Sequence, residues 1–242
     1  MFSRPLLLLS AAFALAATFP AATSAQLIIT EVMPTGSSNA IYAADWFELT
    51  NKGVSTVDLT GFKMDDNSHA FGSAVALRNV TSIAAGQSVV FFEGNASGST
   101  DATIQTNFIA AWFGGSAPSG FTMGAYGGSG VGLSANADEV NLFDSGGNFV
   151  TGVVWTTTAS ITASFDNHAA TRPGTGPTQN IVNALSAVGQ FGAFTAFDSA
   201  AVGSPGVIAN SATVPEPATS AAICGALALV GTLLRRRAAR VQ

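Results

Sequence analysis

The run Leu27-Ile28-Ile29-Thr30-Glu31-Val32-Met33 decides the fold class of this chain. Its residues are mostly apolar and often β-branched, and Pro34-Thr35-Gly36 ends it, which is typical of a buried β-strand followed by a turn. Similar short runs follow at Asp45–Leu49, Val57–Met64 and Ser88–Glu93, and in a hairpin of Glu139–Phe143 and Phe149–Trp155 around Asp144–Asn148. No long window shows a helical period. The sequence therefore predicts an all-β domain, and this strand spacing favours a β-sandwich.

Residues 94–136 differ in composition from the strands on either side of them. Gly, Ser, Ala and Asn dominate this stretch, and aromatic side chains lie among them at Phe108, Trp112, Phe113, Phe121 and Tyr126. We predict a long insertion with at most one strand or helical turn near Ile104–Phe113. Such a segment can form a binding surface or pack over the open edge of a sheet, and the second interpretation is favoured.

The chain begins with a segment typical of export. Met1–Arg4 carries one positive side chain, Leu6–Ala17 is apolar, and Thr23-Ser24-Ala25 has the small side chains of a cleavage site. The apolar stretch is too short to span a membrane. We therefore predict that residues 1–25 are a secretory signal peptide cut after Ala25, so that the mature protein begins at Gln26.

The C-terminal end combines three features in a fixed order. We expect Val214-Pro215-Glu216-Pro217 to be extended, because proline fixes its own φ and lacks an amide hydrogen. Residues 218–234 are uncharged, and as a helix they would reach roughly 25 Å, slightly less than the ~30 Å core of a bilayer. The basic residues that follow should stay cytoplasmic and leave the preceding domain outside the inner membrane: Arg235, Arg236, Arg237 and Arg240. A plain single-pass anchor is the alternative interpretation.

This tail resembles the PEP-CTERM sorting signal of Gram-negative bacteria. The resemblance rests on Val214–Ala218, the short apolar segment after it and the arginine-rich end. It implies that an exosortase, a membrane-embedded transpeptidase-like enzyme, recognises residues 214–240 and cleaves near the Pro-Glu-Pro. The chain would then be a substrate that passes through an inner-membrane intermediate and reaches the cell surface or the extracellular polysaccharide matrix.

The part of the chain between the two signals is strongly acidic. The whole sequence has a formal net charge of −5. Residues 26–213, however, contain only four basic residues against thirteen acidic ones. A domain with this balance repels phosphate groups, so we expect no nucleic-acid partner. The single cysteine, Cys224, lies in the apolar tail, so the exported part cannot form an internal disulfide.

The strands of residues 26–210 resemble the lamin-tail domain, an immunoglobulin-like sandwich of nuclear lamins and of many bacterial secreted proteins. The resemblance is carried by Ile28–Met33, Trp46–Asn51, Asp58–Met64, Ile83–Gly86, Val89–Phe91, Asp138–Gly147 and the closing turn Gly203–Gly206. It implies a binding or scaffolding module without shared catalytic residues. The insertion at about 94–136 and the stretch 167–190 depart from the family pattern, which leaves the strand order there open.

Few residues suggest an enzyme. Glu31 and Glu48 lie in apolar strands and could form the carboxylate pair of a glycoside hydrolase. The favoured alternative is that they face the polar side of the sheet or cap a neighbouring loop. His69 and His168 have no Cys, Asp or Glu at the spacing of a metal site or a catalytic triad. Serine nucleophile elbows are absent from the sequence. We therefore predict no catalytic residues and no enzymatic activity.

Acidic turns offer the one candidate for an ion. Asp65, Asp66 and Asp144 lie in Asx-rich turns whose oxygens could bind calcium, although such turns have a structural explanation of their own. We predict no cofactor and keep calcium as the alternative. The favoured function is an exported, non-enzymatic protein of the cell surface or extracellular matrix. The alternative is a surface module that binds polysaccharide or calcium.

Overall fold

The computed structural model describes residues 26–127, 131–171, 174 and 179–207. In chain order the elements are β1 (Leu27–Met33), β2 (Trp46–Asn51), β3 (Val57–Asp58), β4 (Lys63–Asp65), β5 (Val75–Arg78), β6 (Ser82–Ile83), β7 (Ser88–Gly94), α1 (Asp101–Phe113), β8 (Met123–Gly127), β9 (Asn136–Phe143), β10 (Phe149–Thr158), β11 (Phe165–Asp166), β12 (Asn180–Ile181), β13 (Phe194–Thr195) and β14 (Val202–Gly203). Short 3-10 turns lie at Gly36–Ser38 and Ala96–Gly98.

The strands build a predominantly β structure, as predicted. A curled sheet of 10 strands runs in the order β11-β1-β2-β7-β8-β5-β4-β9-β10-β12, and the small pairs β3–β6 and β13–β14 lie outside it. Neighbouring strands in the curled sheet are antiparallel except for β7–β8 and β10–β12. A β-sandwich has two separate sheets packed face to face. In this structure the strands form one continuous curled sheet instead, because β8 pairs with β7 on one side and with β5 on the other.

The inside of the curled sheet holds the main core. Alternation along β1, β2 and β7 sends one set of side chains inward, and these pack against residues of β9 and β10. Phe47 and Phe91 stack across β2 and β7 with their ring centroids 5.6 Å apart. The inward set from these five strands is Leu27, Ile29, Val32, Phe47, Leu49, Val89, Phe91, Val140, Leu142, Val153 and Trp155.

The outer face of the same strands is covered by α1, which the sequence analysis did not predict as a full helix. Thr100 caps its first turn by accepting a hydrogen bond from the Thr103 amide, and Gly114 ends it in the left-handed conformation. Four buried side chains on one face pack against the outer side of the sheet: Ile104, Phe108, Ala111 and Trp112. Their spacing is helical. Ala102 and Ala110 are exposed on the opposite face. Because alanine is also apolar, the sequence shows little difference in hydrophobicity between the buried and the exposed face.

Two further expectations are corrected or refined by the structure. The run Val57–Met64 is two strands, β3 and β4, because the chain turns at Gly61, whose φ is +79°. The insertion 94–136 supplies α1 and β8, so it packs against the sheet and fills a strand position within it. Its aromatic side chains Phe108, Trp112 and Tyr126 are buried and offer no exposed binding surface.

The predicted membrane segment falls outside the described part of the chain. Among residues 26–127, 131–171, 174 and 179–207, no helix is long and apolar enough to cross a membrane. Residues 218–234 and the signal peptide 1–25 are not among them. Both stay predictions from the sequence.

The attachment of α1 can be tested by truncating Phe108. This side chain is fully buried and contacts the rings of Tyr42, Trp46 and Trp112 at centroid distances of 5.0 to 5.8 Å. We expect Phe108→Ala to lower the free energy of unfolding by about 3–5 kcal/mol in chemical denaturation. Gln105→Ala, at an exposed position of the same helix, should change it by less than about 0.5 kcal/mol. Equal effects of the two substitutions would show that α1 does not cover the sheet.

Asp45 gives a second test, through the pH dependence of stability. Burial raises its pKa from 3.8 to about 7, with a smaller contribution from the charge of Glu93, although the Ser37 amide donates to its carboxylate at 2.7 Å. The pKa of Asp45 is thus higher in the folded than in the unfolded state. The stabilisation of the fold by this group is therefore fully present below about pH 4 and is lost as pH rises through about 7.

Asp45→Asn should therefore gain stability over the wild type as pH rises from about 4 to about 8, by an amount on the order of a few kcal/mol. Thermal melts across this pH range measure the difference. Asp58→Asn is the control, because Asp58 is exposed and its pKa is lowered by hydrogen bonds from Thr60. Parallel pH profiles for the wild type and Asp45→Asn would contradict the prediction.

Candidate functional site

A bulge in β1 creates the most unusual site of the described structure. Ile29 pairs with Leu49, whereas Glu31 pairs with Glu48, so Thr30 is an extra residue in β1. Strict alternation would place Glu31 on the same face as Ile29, inside the core. The extra residue moves Glu31 to the outer face, directly opposite Glu48, and lets Val32 return to the interior. Two carboxylates thus become direct neighbours on adjacent strands.

Residues after β10 cover both carboxylates, and Glu31 and Glu48 are each 0% exposed. Glu31 accepts hydrogen bonds from the Ser204 amide at 2.9 Å and the Ser204 hydroxyl at 3.1 Å, and also from the Ser164 hydroxyl. Glu48 accepts from the Thr30 hydroxyl and the Gly206 amide, each at 2.6 Å. The carboxylates therefore hold the closing turn at Ser204–Gly206 onto the sheet.

His168 lies above the two carboxylates. Its Nδ1 and its backbone amide both contact Asp166 Oδ1, at 2.9 and 2.8 Å, which fixes the orientation of the ring. Its Nε2 faces Glu48, 3.4 Å from Oε1, and has no hydrogen-bond partner among the described residues. The loop itself is fastened to β1 by Asn167, whose amide donates to the Thr30 carbonyl at 2.8 Å and whose side chain donates to Ile29.

The electrostatics of the cluster follow from its burial. Burial, with a smaller contribution from the nearby charge of Glu48, raises the pKa of Glu31 from 4.5 to about 7. Burial alone would lower the pKa of His168, but its contacts with Asp166 and Glu48 outweigh this and raise the pKa to about 10. His168 is therefore protonated at neutral pH and forms an ion pair with Glu48, with its Nε2 3.4 Å from Glu48 Oε1. Lys52 adds a cation at the rim and donates to the His168 carbonyl at 2.7 Å.

A comparison with protein-family models identifies the fold. The model of the Lamin Tail Domain matches residues 20–157, which is more than half of the chain. The chain belongs to the lamin tail domain family. A search of curated proteins found no match. The lamin tail fold is a structural, immunoglobulin-like fold rather than a catalytic one, and the curled sheet is consistent with it.

The family match divides the site into two parts. Glu31 and Glu48 lie on lamin tail strands inside the matched residues, whereas Ser164, His168 and Ser204 come after residue 157. The lamin tail domain of this chain is thus completed by the later segment. The resemblance stated from the sequence is confirmed for the lamin tail domain.

The structure brings Glu31 and Glu48 together, but it does not expose them. Because both are fully buried beneath the closing turn, a polysaccharide cannot reach them, which removes the basis for a glycoside hydrolase pair. The loop-capping interpretation is confirmed by the bonds to Ser204 and Gly206. Both side chains also lie on the outer, polar side of these strands, but that side is closed to solvent because residues after β10 cover it.

The sequence spacing gave neither histidine an acidic partner for a metal site or a triad, but the fold gives both of them acidic neighbours. His168 contacts Asp166 and Glu48, and His69 Nδ1 lies 3.7 Å from Glu139 Oε2. The sequence reasoning searched for local spacing, whereas His168 and Glu48 meet only through the fold. One signal was available: a glutamate in each of two apolar strands requires a buried partner. The hydroxyls of Ser164, Ser186 and Ser204 carried no such signal.

The calcium candidates lie elsewhere and already have protein partners. Asp65 is buried and accepts from the Ala70 amide and the Ser68 hydroxyl, each at 2.7 Å. Asp66 accepts from the Ser68 amide at 3.3 Å. Asp144 accepts from the amides of Gly146 and Asn148, each at 2.9 Å. These hydrogen bonds give the acidic residues of the turns a structural role. Calcium binding stays the untested alternative.

The residues of the processing signals lie outside the described part of the chain. They are the cleavage residue Ala25, the motif Val214, Pro215, Glu216 and Pro217, and the basic end Arg235, Arg236, Arg237 and Arg240. Their roles stay predictions from the sequence.

The fit of the closing turn over the carboxylates can be tested at Gly203. A Cβ on this residue would lie 2.6 Å from Glu31 Oε1 and 2.9 Å from Trp112 Cη2. We expect Gly203→Ala to lower the free energy of unfolding by about 1–3 kcal/mol. It should also speed proteolysis of the C-terminal segment, by which we mean the described residues after β10. Gly72→Ala is the matched control, because nothing lies within 4 Å of its Cβ position. If both variants unfold at the same denaturant concentration, the turn is not seated as described.

Proposed function

We propose that this chain is an exported, non-enzymatic scaffold or interaction protein of the cell surface or extracellular matrix, which an exosortase sorts and cleaves at Val214–Pro217. The observation that carries the non-enzymatic role is the burial of the best-assembled polar cluster. Glu31 and Glu48 bond inward to the closing turn and are closed to substrate. A lamin tail domain with such an arrangement contributes a surface and a stable framework rather than chemistry.

Export and sorting are supported by the sequence. An apolar leader ends in small residues at Ala25, and the Pro-Glu-Pro motif, the uncharged stretch 218–234 and the arginine-rich end follow in order. The absence of cysteine from residues 26–213 means that the domain needs no disulfide after export. Its acidity favours partners other than nucleic acids.

The alternative role in binding polysaccharide or calcium has less support. It relied on aromatic side chains of the insertion, but Phe108, Trp112 and Tyr126 are buried, and the half-buried Phe113 and Phe121 pack against the apolar cluster around α1. It also relied on acidic turns, whose carboxylates at Asp65 and Asp144 accept hydrogen bonds from their own loops. The scaffold role is therefore preferred.

The proposal is tested by the mass of the mature protein in a Gram-negative host that has an exosortase. We expect an N-terminus at Gln26 and a C-terminus near Pro215–Pro217, with Arg235–Arg240 lost. A strain without the exosortase should retain the basic end, and so should a variant with Pro215 and Pro217 replaced by alanine. Survival of Arg235–Arg240 in the wild-type mature protein would leave a plain membrane anchor in place of sorting.

A further inference from the structure

The buried cluster has the donor atoms of a metal site. His168 Nε2 and one carboxylate oxygen each from Glu31 and Glu48 all lie within 4.8 Å of one another. Ligands held about 2.1 Å from a tetrahedral zinc ion are roughly 3.4 Å apart, and the distance from His168 Nε2 to Glu48 Oε1 is 3.4 Å. The three side chains come from two strands and one loop.

His168 provides a second, independent observation. Its side chain is 2% exposed, and Nε2 has no hydrogen-bond partner among the described residues although it lies 3.4 Å from Glu48 Oε1. A buried polar atom without a partner is costly, so a native structure normally gives it one. A metal ion held by the Nε2 lone pair would be such a partner.

The contacts around the three residues are those that orient metal ligands. A ligating histidine usually donates its other ring nitrogen to a carboxylate, and His168 Nδ1 lies 2.9 Å from Asp166 Oδ1. The same Asp166 oxygen accepts the His168 amide, which fixes the ring further. Both glutamates are also held by donors: Thr30 and Gly206 on Glu48, and Ser204 on Glu31. These bonds fix the positions of both carboxylates, each of which has an oxygen within 4.8 Å of a ring nitrogen of His168.

The charges of the cluster also favour a dication. Glu31 and Glu48 lie directly opposite each other on β1 and β2, and both are fully buried. A doubly charged ion would neutralise both at once and leave the imidazole neutral. Calcium fits poorly, because it takes six to eight oxygen ligands rather than an imidazole. One imidazole and two carboxylates suit zinc and neighbouring first-row metals.

We propose that Glu31, Glu48 and His168 bind one divalent first-row transition metal ion of the zinc class. The ion is structural, because the site is closed to solvent on the described structure. It joins strands β1 and β2 to the loop at His168, and through Glu31 and Glu48 to the closing turn. Metal binding would therefore stabilise the whole C-terminal segment against the sheet.

The test uses the full-length chain, kept in detergent because of its apolar tail. The protein is unfolded in guanidinium with EDTA, freed of both, and refolded with zinc, with cobalt or without metal, because a buried site is best loaded during folding. We expect about one metal ion per chain after gel filtration. At a hundredfold excess of zinc over its Kd, we expect a Tm about 5–10 °C higher than without metal.

Variants and spectroscopy assign the ligands. His168→Gln and Glu48→Gln should lose the metal and the gain in Tm. His69→Gln is the matched control and should keep both, because the exposed His69 has Glu139 alone as its nearby acidic side chain among the described residues. Zinc X-ray absorption of the wild type should show imidazole and oxygen ligands without sulfur, a readout that does not depend on whether a variant folds.

Three results would overturn the assignment. The first is a refolded wild type that binds neither zinc nor cobalt, which would leave the cluster as an ion-paired network. The second is retention of metal by folded His168→Gln together with its loss from His69→Gln. The third is sulfur scattering in the absorption spectrum, which would assign the ion to Cys224.

Discussion

The structure depends on one extra residue in β1. Without the bulge at Thr30, Glu31 would point into the core beside Ile29, among apolar side chains. With the bulge, Glu31 stands opposite Glu48 on the outer face, and Val32 returns to the interior. The bulge also leaves the Thr30 carbonyl free to accept the Asn167 amide, so the same residue that places the carboxylate receives the loop that covers it.

The outer face of β1, β2 and β7 is covered by α1 and by the loops after β10. The polarity of each cover matches that of the side chains beneath it. The apolar part, around Trp46 and Phe92, lies under α1. The polar part, around Glu31 and Glu48, lies under loops that supply amides and hydroxyls. The covers support each other, because the Phe197 and Asp198 amides donate to carbonyls at the C-terminal end of α1, at Trp112 and Ala111. Helix carbonyls that would otherwise lack partners are thus satisfied by the C-terminal segment.

The sequence predicted what local periodicity controls. Strands β1, β2 and β7 and the hairpin β9–β10 follow from apolar runs separated by turn residues, and the structure has them within a few residues of the expected places. The helix was missed because Ala102 and Ala110 on its exposed face resemble its buried residues. The cluster was missed because a bulge breaks alternation without a sequence signal, and because His168 meets Glu48 across a long separation in the chain. Buried glutamates in two neighbouring strands were the one local sign of it.

The boundary of the family match shows where this chain departs from a lamin tail domain alone. The matched residues 20–157 supply both carboxylates but none of the loop groups that satisfy them. A domain ending there would expose Glu31 and Glu48 and would lose the donors at Ser164, Ser204 and Gly206. The described residues after β10, up to Val207, are therefore part of the folded unit, because Gly206 near their end is bonded to the fully buried Glu48 on β2.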